Sequence, residues 1–75
     1  MTKKQVSNLI DEFETETQSL LLTLLSEFKA ISGFIWYFDT FINLVEDEAK
    51  KQLKIGNTQA YNELHLFLDK IAVNN

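Results

Sequence analysis

Seventy-five residues suffice for one domain with a small core, and with no cysteine and a single histidine, His65, neither a disulfide nor a conventional zinc site can staple it. The formal charge of -4 comes from seven lysines against eleven acids, with no arginine. That balance argues against direct binding of nucleic acid, because arginine makes the bidentate contacts to phosphate and guanine.

Stability must therefore come from packing. Hydrophobic residues make up 45% of the chain and aromatic residues 12%, more apolar material than one small core needs, so self-association is an expectation. Met1 to Lys4 is followed by polar residues and not by a short apolar segment, which carries no secretion signal and makes the cytoplasm the expected location. Ala30 to Val45 is too short for the roughly 20 residues of a membrane span and contains Asp39 and Asn43, so no membrane role is expected.

Proline is absent, and Gly33 and Gly56 are the only glycines, so these two positions punctuate the chain. Thr2 and Gln5 have the Thr-x-x-Gln spacing of a capping box and set a helix start near Lys3. From there Val6, Leu9, Ile10, Phe13, Thr17, Leu20, Leu21, Leu24, Leu25, Phe28 and Ile31 recur at steps of three and four. The spacing predicts one helix over residues 3–31, about 43 Å long at ~1.5 Å per residue.

Beyond Ser32-Gly33 the apolar spacing resumes with Phe34, Phe38, Phe41 and Val45, flanked by Ile35, Ile42 and Ala49 on one side and Tyr37 and Leu44 on the other. This predicts a second helix over 34–55 whose apolar arc is wide enough to touch two neighbours. Lys50, Lys51 and Lys54 suit its C-terminal end, and Gly56 suits a left-handed cap. Asn57 or Thr58 can cap a third helix over 58–73 with the stripe Ala60, Tyr61, Leu64, Phe67, Leu68 and Ile71. The fold class is all-α, three helices running up, down and up. A rival is a continuous rod through Gly33, since an interior glycine costs only ~1 kcal/mol relative to alanine.

Pairing into a homodimer is expected on length. A second helix of about 33 Å covers the first only back to about Ile10, which leaves Val6 and Leu9 overhanging for a second copy to cover. The candidate dimer and core residues are Val6, Leu9, Ile10, Phe13, Phe34, Phe38, Phe41 and Val45.

The polar residues offer little chemistry. His65 with Asp69 one turn on lacks a cysteine or an identifiable serine nucleophile, so no enzyme is expected. No glycine-rich phosphate loop or calcium loop is present, and no cofactor is expected. What stands out is acid. Asp11, Glu12, Glu14 and Glu16 surround Phe13, with Glu12 and Glu16 a like-charge pair one turn apart, and a second run comprises Glu46, Asp47 and Glu48. In the second run Lys50 and Lys51 are placed to pair with Glu46 and Asp47.

Trp36, among polar residues on the far side of the second helix, is either packed on a neighbour or an exposed anchor. The resulting expectation is a small acidic helical protein without catalytic activity that binds and inhibits another protein. Its acids would face a basic surface and imitate DNA in a DNA-binding groove, in the manner of inhibitors carried by phages and mobile elements. The alternative is a structural module whose aromatic face mediates assembly.

Overall fold

The first helix is shorter than its spacing predicts. Thr2 and Gln5 close the capping box: the Gln5 backbone N–H donates to Thr2 Oγ1 at 3.2 Å, and the Thr2 N–H donates to Gln5 Oε1 at 2.8 Å. Helix α1 then runs only over Lys3–Ile10. The N–H groups of Glu12 and Phe13 reach back three residues to the carbonyls of Leu9 and Ile10, tightening and ending the helix. Glu14 is extended, at φ -65 and ψ 162, and starts α2, Thr15–Ser32. The Gln18 side chain donates to the Asp11 carbonyl at 2.9 Å and braces the bend.

The computed structural model describes residues 1–33 and 35–74, the last two as backbone only. Among the described residues there are four helices and no strand, with α3 at Phe38–Lys54 and α4 at Thr58–Asn74. The fold is all-α, as the spacing predicts, but the expected helix over 3–31 is two helices. Its apolar spacing passes unbroken through the bend because Phe13, which is not helical, still points inward and is 9% exposed.

The break resolves a packing problem. A straight rod would leave the apolar side of α1 without cover, whereas the folded-back α1 buries Val6 (0% exposed), Leu9 (6%) and Ile10 (0%) in the core of its own chain. At ~1.5–3 kcal/mol for each fully buried aliphatic side chain, that burial outweighs a few helical hydrogen bonds exchanged for bonds to water, each worth ~1 kcal/mol net. The bend also moves Glu12 and Glu16 off a shared helix face, which removes their mutual repulsion. The overhang that argued for a second subunit therefore does not arise. The radius of gyration is 11.6 Å, close to the about 11 Å of a compact single domain of this length.

The second half follows its capping signals more closely. Gly33 ends α2 with φ +70, its N–H donating to the Lys29 carbonyl at 2.8 Å. Gly56, at φ +85, turns the chain out of α3, and the Asn57 N–H returns to the Gln52 carbonyl at 2.8 Å. Asn57 then caps α4 through its side chain, which accepts from the Ala60 N–H at 3.3 Å.

The start of the second predicted helix is displaced. Helix α3 begins at Phe38, not at residue 34, so Trp36 lies in the connection and not on a helix face. Phe34, expected in the core, lies outside the described residues. Trp36 is half-buried: its ring meets Phe28 at 5.1 Å and Phe41 at 5.6 Å, and its indole N–H donates to the Met1 carbonyl at 2.9 Å. It locks the N-terminus onto the α2–α3 connection, which is why it leaves the polar side where a helical wheel places it. Phe41 and Val45 are fully buried and Phe38 is partly so, joined in the core by Leu64, Phe67 and Ile71 of α4.

Four measurements check this architecture. Gly33→Ala would stabilise a continuous rod, but at φ +70 it lowers stability by about 1–2 kcal/mol, readable as a lower denaturant midpoint. Ile10→Ala removes a fully buried side chain and costs about 2–5 kcal/mol. The wild-type thermal midpoint stays constant from about 5 to about 200 μM protein, whereas a fold completed by a second copy would show a midpoint rising with concentration. Trp36→Phe keeps the ring contacts but loses the bond to Met1, which costs about 0.5–1.5 kcal/mol and speeds amide exchange in α1 above that in α3.

Candidate functional site

The two helices that carry the acids run antiparallel beside each other, and their sequences decide which acids meet. On α2, Glu16 and Glu27 are eleven residues apart, which places them within about 20° on the same face and about 16 Å apart along the axis. Leu20 and Thr23 lie between them on that face. On α3, Glu48 and Gln52 are one turn apart and face α2, the Gln52 amide donating to Glu48 Oε2 at 2.7 Å. The Asn57 amide continues the chain by donating to Gln52 Oε1 at 3.1 Å.

Between these faces runs a solvent-open groove in two adjoining parts. One part, a cleft of about 340 Å³, lies between the first two turns of α2 and the start of α4, with Glu14, Glu16, Thr17, Gln52 and Gln59 on its walls. Gln59 reaches across it, donating to Glu14 Oε1 at 3.3 Å. The other part, about 330 Å³, lies one turn further along both helices, with Glu27, Asp47 and Glu48 on its walls together with Lys50 and Lys51. No residue of α1 lines either part. The groove thus carries five carboxylates against two ammonium groups.

The seven acids singled out from sequence are divided by the fold. Glu14, Glu16, Asp47 and Glu48 come together along the groove. Asp11 and Glu12 do not: both are exposed at the α1–α2 bend, where Glu12 lies 3.7 Å from Lys70 of α4. The Lys70 ammonium also sits 5.4 Å from the centre of the Phe13 ring. Glu46 is exposed on α3 and lines neither part of the groove. The side-chain pairs expected between Glu46 and Lys50 and between Asp47 and Lys51 do not close to within 4.0 Å, so those charges are left to solvent and to the groove.

Glu27 is the residue that sequence reasoning missed. It stands alone in the sequence, outside both acidic runs, and its signal is its eleven-residue spacing from Glu16, three helical turns on one face.

The remaining candidates lie elsewhere. Trp36 belongs to the aromatic core at the other end of α2. His65 is exposed, its ring centre 4.4 Å from that of Tyr61, and it makes no hydrogen bond to Asp69 among the described residues. Among those residues no group of three or more histidine, cysteine or acidic side chains is placed to hold a metal ion, and no helix is long and apolar enough to cross a membrane.

No protein-family model, no curated protein and no solved structure matches this chain.

Proposed function

We propose that this chain is a non-enzymatic binding protein whose α2–α3 groove receives a basic surface of another protein and blocks it. The observation that carries this reading is the alignment of Glu14, Glu16, Glu27, Asp47 and Glu48 along one open groove over a sealed core. An uncompensated line of carboxylates on a rigid helix pair attracts a cationic partner at long range and fixes its register at short range.

The charge density sharpens what that partner offers. Net of the two lysines, the groove holds about three negative charges over about 16 Å, or one per about 5 Å. A single nucleic-acid strand carries one per ~3.4 Å and a duplex one per ~1.7 Å of axis. The groove therefore resembles one strand more than a duplex, and imitation of nucleic acid in this chain is imitation of a single backbone.

The alternative of an assembly module built on the aromatic stripe has less to stand on. Phe28, Phe41 and Phe67 are buried within one chain, which leaves Ile31, Ile35 and Tyr37 as the exposed apolar side chains described around that stripe.

The test is capture of a partner from a cell lysate, followed by titration of the purified pair. Binding should weaken at least about tenfold between about 50 and about 200 mM salt. It should be lost in the triple variant Glu16→Lys, Glu27→Lys, Asp47→Lys, whose fold is verified by circular dichroism. Full retention by the triple variant would overturn the reading and direct attention to exposed apolar residues such as Leu22 and Leu66, 48% and 49% exposed. Displacement of the chain by single-stranded DNA supports a phosphate-binding groove on the partner. Indifference to excess DNA removes that part of the proposal.

A further inference from the structure

The cleft between α2 and α4 has a feature that surface charge does not explain. Thr17 lines it and is 4% exposed, yet its hydroxyl makes no hydrogen bond to any described residue. A helical threonine ordinarily donates to the carbonyl four residues back, as Thr23 does to Ser19 at 2.9 Å. Thr17 is the third residue of α2, so the corresponding carbonyl belongs to Phe13, which precedes the helix. Among the described residues no fully enclosed side-chain polar atom is unpaired. The Thr17 oxygen is therefore not fully enclosed, and the cleft is the opening that Thr17 lines.

The cleft is rich in hydrogen-bond acceptors. The Gln52, Gln59 and Asn57 amides each engage one of their two N–H donors, with Glu48, Glu14 and Gln52 respectively. Besides the second N–H of each amide, the unused groups include these acceptors: both oxygens of Glu16, the second oxygen of Glu14, the Gln59 carbonyl and the Thr17 hydroxyl, which can accept as well as donate. The cleft adjoins two helix N-termini, each worth about +0.5 charge. Against two full carboxylates they leave about one negative charge in excess, so the occupant is a cation.

We propose that this cleft receives one arginine side chain of the partner. This rests on the reading of the groove as a site for a basic protein surface. Several acceptors spread over separate walls suit a planar guanidinium with five donors better than the three donors of an ammonium. The apolar side chains of Leu20 and Ala60 also line the cleft and flank the methylene stem. A volume of about 340 Å³ falls in the range of ligand-sized pockets, roughly 300–1,000 Å³, and admits the whole side chain. Thr17, on the wall of the cleft, accepts from the guanidinium and gains the partner it lacks.

The test uses the full chain, labelled with nitrogen-15, and three blocked tripeptides of the form glycine-X-glycine with X arginine, lysine or citrulline. The arginine peptide should shift the amide resonances of Thr17, Ser19, Leu20, Gln59 and Ala60 and saturate below about 10 mM. The lysine peptide should bind several-fold more weakly, and citrulline, the neutral isostere, should leave the cleft unmoved. Thr17→Val, nearly the same shape without the hydroxyl, should weaken the arginine peptide about three- to tenfold with an unchanged thermal midpoint.

Equal response to citrulline, unsaturating shifts of similar size at Asp11, Glu12 and Glu46, or full affinity in Thr17→Val would each overturn the assignment. The same resonances moving with inorganic phosphate would overturn it too. A flat peptide titration beside salt-sensitive capture of the basic partner removes the arginine assignment alone, whereas loss of that capture removes the reading beneath it.

Discussion

Phe41 is the contact on which the other elements depend. It is fully buried, and its ring meets Phe28 of α2 at 6.3 Å, Trp36 of the α2–α3 connection at 5.6 Å and Phe67 of α4 at 6.4 Å. Phe67 passes the contact on to Phe13 at the α1–α2 bend, 5.7 Å away in an edge-to-face arrangement. One relay of rings thus joins α2, α3 and α4 with the connections on either side of α2. In a chain without disulfide or metal, such pairs contribute ~0.5–1.5 kcal/mol each beyond burial, a large share of the small net stability of a domain this size. The relay also fixes what the protein can offer to others. Most of the aromatic surface is spent inside, with Tyr37 among the exposed exceptions.

The helical class, the capping box at Thr2 and the left-handed turns at Gly33 and Gly56 were legible because each is local. Capping and positive φ are decided within a few residues, and the sequence around them contains the whole cause. The bend at residues 11–14 was not legible. Val6 to Ile31 keeps helical spacing through it, because Phe13 serves the core equally well from a turn, and periodicity records only which side chains face inward. The cause is tertiary: an unbroken helix would project α1 beyond anything that could cover it. Its local trace is the clash of Glu12 with Glu16 and the poor helix propensity of Asp11, Thr15 and Thr17, a bias that becomes decisive only when burial is added.

The same distinction governs the groove. Acids adjacent in sequence were grouped together, and the fold separated them: Glu12 lies beside Lys70 of α4 and Asp11 is exposed at the bend, while Glu14 and Glu16 line a cleft with Gln52, which bonds Glu48. Proximity in sequence says little about charge on a helical protein, since four successive residues point around the whole circumference. Spacing says more, and Glu27 is visible from Glu16 only by counting three turns. Trp36 shows the opposite error, in which a wheel drawn through residues 34–37 assigned a direction to a side chain that is not on a helix.

The position of α1 explains why the groove remains open. A three-helix arrangement of this length has two long seams, and the short α1 covers the core on one side only, its Val6, Leu9 and Ile10 sealed beneath it. The α2–α3 seam receives no such cover. Its walls bear carboxylates at both ends, with Glu14 and Glu16 near the start of α4 and Glu27, Asp47 and Glu48 a few turns away. A second copy docking there through a two-fold axis would bring the five carboxylates of each copy to one interface, with only Lys50 and Lys51 of each to offset them. Symmetry that would let a neutral seam pair with itself works against this one. The acids that weigh against pairing of the seam with its own kind are the same ones that make it complementary to a surface of opposite sign.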